Sequence, residues 1–127
     1  MKFQPDTFVG TNAISRLDAG AIWVNGERHE GALLVPWRGS VGAWHGATLR
    51  TLQPVHFEAV LALQPELVIF GSGRRLRFAH PSLLRPLIDR GIGVETMDTA
   101  AACRTYNVLF SERRSVVAAL LLEAENV

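Results

Sequence analysis

A chain of 127 residues, 48% of them hydrophobic, is long enough to bury one sizeable core and too apolar to be disordered throughout. Its 13 basic and 12 acidic side chains leave a formal charge of +1, which removes any global attraction to nucleic acid or to an anionic membrane. The single cysteine, Cys103, excludes an internal disulfide and a thiolate-rich zinc site, and it fits a reducing compartment.

The length favours one domain over 1–127, with an N-terminal arm over 1–12, a folded core over 13–122 and a frayed tail over 123–127. The opening residues contain no apolar core of signal-peptide length. They carry Asp6 and, as cations, only Lys2 and Arg16, which does not read as a transit peptide. No stretch approaches the roughly 20 apolar residues that span a bilayer. The expectation is a cytoplasmic protein without membrane insertion.

In chain order, Pro5, Gly10 and Asn12 discourage regular structure in the arm. Ile14 to Leu17 alternates apolar and polar residues, as a short strand does. After a turn at Asp18-Ala19-Gly20, Ala21 to Val24 reads as a second strand, with Ile22 and Val24 on one face and Trp23 on the other. Asn25-Gly26 is a hairpin signal, because both positions tolerate positive φ. Ala32 to Val35 is expected as the returning strand.

Pro36 to Gly46 reads as a glycine-rich loop holding Trp37 and Trp44, with a possible short strand over Val41 to Trp44. Two roles are open for the tryptophans. They cover the open side of the meander, or they form a partner-binding patch, since exposed aromatics are common interface anchors.

Pro54 suits the first turn of a helix, and Phe57, Val60 and Leu61 give it one apolar stripe. Leu67 to Phe70 is a continuous apolar run between Pro65 and Gly71, the habit of a strand buried on both faces of a parallel sheet. A helix is expected over Pro81 to Arg90, burying Leu83, Leu84, Leu87 and Ile88 and ending at Gly91. Gly93 to Met97 then returns as a strand, so that strand, helix and strand form a parallel βαβ unit. Asp98 or Thr99 caps the next helix, whose small residues Ala100 to Cys103 allow close packing. Ser111 is expected to cap a last helix with Val116, Val117, Leu120 and Leu121 as its buried stripe.

Ligands of open α/β sheets bind outside the carboxyl ends of parallel strands. Here those ends are Gly71-Ser72-Gly73 and Met97-Asp98-Thr99. Backbone N–H groups of a glycine turn and a helix N-terminus favour anions. Arg74, Arg75 and Arg77 follow at once, and Arg104 lies one turn into the helix. The combination describes a crevice for phosphate, carboxylate or an acidic peptide. The alternative is that Gly71 and Gly73 merely permit a tight turn. Leu76 stands where a dinucleotide fingerprint has its third glycine, and the only lysine is Lys2, so neither nucleotide motif is complete.

No catalytic set converges. Phe70 and Arg74 replace the glycines that flank the serine of a nucleophile elbow, so Ser72 is not one. His80 precedes a proline at a helix start, and His29, His45 and His56 lack ligand spacing, so neither a Ser72–His80 pair nor a metal site is expected. Cys103 beside Arg104 reads either as a thiol of lowered pKa or as a small core residue. Glu112 and Arg114 form a local ion pair or cap, or reach across to Arg104, Tyr106 or Asn107.

At Gly71-Ser72-Gly73, Met97-Asp98-Thr99 and Ala101-Ala102-Cys103-Arg104-Thr105-Tyr106-Asn107, with Leu109, Glu112 and Arg114, the sequence resembles the small domains of unknown function related to mitochondrial complex I assembly factor 3. The hairpin ending in Leu33-Leu34-Val35-Pro36 also fits. The resemblance covers about Thr11 to Leu121. It implies a three-layer α/β domain: a mixed central sheet with helices on one face and a β-hairpin or meander on the other. It also implies a role in assembling respiratory NADH dehydrogenase through association with other proteins, with no established catalytic residue and no cofactor. The pattern marks Gly71, Gly73, Thr99, Arg104, Thr105, Tyr106, Asn107 and Glu112 as crevice or scaffold positions.

The expectation is therefore a binding or assembly-type domain that is not an enzyme. It would offer the crevice and the tryptophan loop to a protein partner. The alternative is a small-molecule or phosphate- or anion-binding domain using the Gly71–Arg75 loop and the helix over 99–110, which as an enzyme would orient its substrate with Arg104 and Tyr106. Nucleic-acid binding through Arg74, Arg75 and Arg77 ranks last, given the near-neutral charge.

Overall fold

The computed structural model of the chain describes residues 1–3 and 10–122. The arm expected over 1–12 therefore falls partly outside the described residues, and the tail over 123–127 falls wholly outside them.

Strands β1 (Ile14–Leu17), β2 (Ala21–Val24) and β3 (Glu27–Glu30) form an antiparallel sheet in that order. Asn25 and Gly26, at φ 52° and 82°, make the tight turn between β2 and β3. A two-residue loop of this kind fixes the register, and Val24 pairs with Glu27. The returning strand is thus Glu27–Glu30 and not Ala32 to Val35. Its composition, Glu-Arg-His-Glu, suits an exposed sheet edge, where charge discourages further pairing. Ile22 and Val24 turn inward, while Trp23 faces out between the guanidinium groups of Arg16 and Arg28, 4.6 and 5.6 Å from its ring centre. The first residues run beside β1: Phe3 N donates to Ser15 O at 3.1 Å and Leu17 N to Met1 O at 2.8 Å.

β4 (Leu33–Pro36) leaves the meander for the larger sheet. There follow β5 (Gly42–Ala43), α1 (Pro54–Leu61), β6 (Leu67–Gly71), a 3-10 turn (Pro81–Leu84), α2 (Arg85–Ile88), β7 (Gly93–Met97), α3 (Thr99–Ser111) and β8 (Val116–Leu120). Among the described residues the larger sheet has five strands in the order β5-β4-β8-β6-β7. β6 runs parallel to both β7 and β8, while β4 is antiparallel to β8 and β5.

Residues 116–120 are the central strand of this sheet and not a last helix. Val116, Val117, Leu120 and Leu121 fit a helical stripe, but Val116 to Leu122 is an unbroken apolar run, and such a run is equally the mark of a strand buried on both faces. Ser111 accordingly lies in the last turn of α3 and caps nothing that follows. The helix expected over Pro81 to Arg90 is broken into the 3-10 turn and the single turn α2. Pro86 explains the break, since it has no N–H to donate within a helix. The shorter helix leaves Ile88, expected in the core, 49% exposed.

The result is a three-layer α/β arrangement. Val116, Ala118 and Leu120 of β8 pack into one core with Ile14, Ile22 and Val24 of the meander and with Ala102, Cys103, Tyr106 and Phe110 of α3. Val117, Ala119 and Leu121 pack into the opposite core with Phe57 and Val60 of α1 and Leu87 of α2. α3 thus shares the meander's side of the sheet.

The two tryptophans part company. Trp37 is half-buried against the meander-side core, with Arg38 stacked 4.7 Å from its ring centre. Trp44 is 3% exposed in the opposite core, edge-on to Phe57 and Phe70, with Nε1 donating to His56 O at 3.0 Å. Trp44 therefore covers no open side of the meander and presents no exposed anchor.

Candidate functional site

The expected rim exists. Gly71 pairs with Met97 on one side and with Leu120 on the other, so β6, β7 and β8 end together. Gly71 and Thr99 touch so closely that a Cβ on Gly71 would lie 2.9 Å from Thr99 Oγ1, 3.1 Å from Thr99 Cα and 2.9 Å from Leu120 Cδ2. The glycine is required there because the first turn of α3 sits directly on the sheet.

The polar groups at this rim are turned on one another. Ser72 N donates to Met97 O (2.9 Å), Gly73 N to Thr99 Oγ1 (2.9 Å) and Thr99 N to Gly73 O (2.8 Å). Thr99 Oγ1 in turn donates to Leu121 O at 2.7 Å. Asp98 caps α3 by accepting from Ala101 N at 2.9 Å. Ser72 is fully buried; its hydroxyl donates to Arg75 O (2.6 Å), lies 3.2 Å from Met97 O and accepts from Arg77 N at 3.0 Å. Several of the amides and hydroxyls that would receive an anion here serve the fold instead.

A cleft of about 370 Å³ lies beside this junction, bounded by Met1, Leu17 to Ala19, Gly73, Arg74, Asp98 to Ala100, Leu121 and Leu122. Among the described residues its wall carries Arg74 together with Asp98 and with Asp18, which pairs with Arg16 at 2.9 Å, so the charge is mixed. Arg75 is exposed on the loop beyond. Arg104 is exposed on α3, with Nη1 3.5 Å from Met1 Sδ. Thr105 is half-buried on the same helix.

Tyr106 and Asn107 point elsewhere. The Tyr106 hydroxyl, fully buried, donates to Asn12 O at 2.6 Å and lies 3.2 Å from Pro36 O. Burial holds that phenol protonated well above the usual tyrosine range. Asn107 bonds the backbone of β1 through Ile14. The set expected in one crevice is therefore divided: Gly71, Ser72, Gly73, Arg74 and Thr99 meet, whereas Asn107 fastens α3 to β1 of the meander and Tyr106 ties it to Asn12 and Pro36.

Cys103 is not an activated thiol. It has no exposed surface, and burial pushes its pKa up from 9.0 to about 12 despite the Arg104 charge beside it. His80 caps the 3-10 turn by accepting from Ser82 N at 3.1 Å, and it is not engaged with Ser72. Arg114 pairs with Glu66 at 3.0 Å across the chain, not with Glu112, Arg104, Tyr106 or Asn107. Among the described residues no group of three or more His, Cys, Asp or Glu could hold a metal ion, and no helix is long and apolar enough to cross a membrane.

Sequence reasoning missed Asn12. It is buried, with Nδ2 donating to Pro36 O and Gly39 O at 2.8 Å each, and it accepts the Tyr106 hydroxyl through its carbonyl. A lone asparagine in an irregular stretch carries no signal of that use. A second cleft, of about 410 Å³, is lined by Thr11, Trp37, Arg38, Phe110 and Arg113, of which the sequence singled out Trp37 alone.

Residues 14–121 match the model of a family described as a protein of unknown function, DUF498/DUF598. The chain belongs to that family. It is 38% identical over 101 residues to a Bos taurus protein named NADH dehydrogenase (ubiquinone) 1 alpha subcomplex assembly factor 3, covering 77% of this chain and 54% of that one. A Xenopus tropicalis protein of the same name is 37% identical over 82 residues, 65% of this chain and 43% of that one. The chain thus spans about half the length of these relatives. In structure it resembles a crystal structure of a Bordetella parapertussis protein, with a TM-score of 0.84 and 36% identity over 91% of this chain and 98% of that one. It also resembles a solution structure from Bordetella pertussis described as a Mth938-like domain, with a TM-score of 0.77 and 30% identity over 98% and 94%.

Proposed function

We propose that this chain is a binding domain of the assembly-factor type, which holds a protein partner and catalyses no reaction. The observation that carries this reading is the engagement of its reactive groups. The Ser72, Thr99 and Tyr106 hydroxyls are each bonded to backbone, and Cys103 is buried with a raised pKa. A nucleophile needs an adjacent base and access to substrate. Relatives named as assembly factors support a protein partner. Trp37, half-buried beside Arg38, keeps surface to offer such a partner, whereas Trp44 does not. The reading goes with a cytoplasmic location and with no nucleic-acid ligand, in keeping with the net charge of +1.

Affinity capture of the tagged protein from crosslinked native cells tests it. A protein recovered in stoichiometric amount is the expected result. Recovery of chaperones alone, under crosslinking as without it, would count against it.

A second reading is favoured by the cleft beside Gly73 and Arg74: a small anionic ligand bound there, with Arg75 and Arg104 at its approaches. A thermal-shift series with inorganic phosphate, sugar phosphates and nucleotides tests this reading. A rise in melting temperature that disappears in Arg74→Ala supports it, and no shift with any anion removes it.

A further inference from the structure

The loop that leaves β6 displays its apolar side chains to solvent. From Leu76 to Ala79 it alternates outward and inward: Leu76 is 54% exposed, Arg77 is half-buried, Phe78 is 72% exposed and Ala79 is buried in the α1-side core. The loop is held in this form from within. The buried Ser72 hydroxyl donates to Arg75 O and accepts from Arg77 N, and Arg77 Nη2 reaches Ser72 O at 3.4 Å. A loop pinned on its inner side, with a phenylalanine and a leucine fixed on its outer side, is preorganised for contact, and preorganisation lowers the entropy cost of binding.

Along the chain, the charged residues next to these two side chains are arginines. Arg74 and Arg75 are exposed immediately before Leu76, and no acidic residue occurs between Glu66 and Asp89. Apolar anchors rimmed by arginine suit a partner of opposite charge that also brings apolar side chains. A bilayer is a poorer match: two apolar side chains on one loop, in a molecule of net charge +1, give little interfacial attraction.

We infer that Arg74 to Phe78 is the docking surface for an acidic segment of a partner protein, one that seats its own apolar residues on Leu76 and Phe78. This rests on the assembly-type reading and adds to it the surface and the chemistry of the partner.

The test is site-specific photocrosslinking in native cells from position 78, with positions 27 and 108 as controls on other exposed surfaces, followed by identification of the crosslinked peptide. The expected result is a protein crosslink from position 78 to an acidic segment with apolar residues, abolished by R74E/R75E. That segment, made as a synthetic peptide, should bind the wild type and lose roughly thirtyfold in affinity to L76S/F78S. Ser72→Ala, which releases the loop without touching its outer face, should weaken the peptide by a smaller factor. Both surface variants alter exposed side chains, so an unchanged melting temperature shows that they are folded. Protein crosslinks from position 27 or 108 but not from 78 would overturn this surface and leave the assembly reading standing. No protein crosslink from any position would count against both. Co-sedimentation with phosphatidylcholine–phosphatidylserine vesicles that is lost in L76S/F78S, without a protein crosslink at 78, would replace the protein partner with a lipid surface.

Discussion

Asn107 holds Ile14 by both backbone groups: its Nδ2 donates to Ile14 O at 2.8 Å, and its Oδ1 accepts from Ile14 N at 3.0 Å. These two bonds join α3, which lies on the larger sheet, to β1 of the meander. Asn107→Ala should therefore destabilise the fold by about 2 kcal/mol, two bonds at ~1 kcal/mol each. Denaturant titration measures the loss, and amide exchange at Ile14 should accelerate more than exchange within β8. Equal acceleration everywhere would show that the meander and the larger sheet open only together.

Gly71 separates lack of space from backbone strain. Its Cβ has nowhere to go against Thr99 and Leu120, so Gly71→Ala should cost about 1–3 kcal/mol through overpacking. Gly91 is the comparison, with φ 71° and nothing within 4 Å of an added Cβ. Gly91→Ala should cost ~1–2 kcal/mol through the left-handed backbone alone. Trimming an opposing residue with Leu120→Ala, which removes the Cδ2 that a Gly71 Cβ would meet, should leave the cost of Gly91→Ala unaffected and lower that of Gly71→Ala.

Cys103 should contribute to a loss of stability at alkaline pH. Its folded pKa is raised from 9.0 to about 12, so the unfolded chain loses this proton first. Stability is then fully present below pH 9 and falls as pH rises from 9 toward 12, by at most about 1.4 kcal/mol per pH unit for this group. Tyr106 acts in the same direction, its pKa also being raised by burial. Denaturation midpoints between pH 8 and 11 should show the decline, and Cys103→Ala should flatten it. Iodoacetamide should label native Cys103 only as fast as the protein opens.

The two tryptophans should respond oppositely. Trp44→Ala removes an indole packed on Phe57 and Phe70, and it should cost ~3–5 kcal/mol. Trp37→Ala removes a half-buried ring, so it should cost less in stability and more in partner binding. Melting temperature and co-capture of the partner measure the two effects separately.

Most strands were legible where periodicity was unambiguous. Ile22 and Val24 alternate with Trp23, and Leu67 to Phe70 is too short and too bracketed for a helix. Val116 to Leu121 was misread because a fully buried strand has no polar face, and period 2 then cannot be told from period 3.6. Glu27–Glu30 was passed over because an edge strand needs no apolar side chains, although the Asn25-Gly26 turn already fixed its place. The rim at Gly71 and Thr99 was placed correctly from strand direction alone. The bonding among its polar groups was not legible, because a sequence shows which hydroxyls and amides are present but not which of them bond one another. Tyr106 and Asn107 share a helix with Arg104, yet Arg104 is exposed while Tyr106 turns inward to Asn12 and Pro36 and Asn107 to Ile14.

The claim on which the rest depends is that this domain acts by holding another protein. The most direct measurement is the native mass of the chain at its natural concentration in cell extract, by native electrophoresis with mass spectrometry of the band. A species well above the chain's own 13.9 kDa, containing a second protein in fixed ratio, is predicted. Migration at 13.9 kDa with and without crosslinking, together with a melting temperature raised by a small anion, would contradict it.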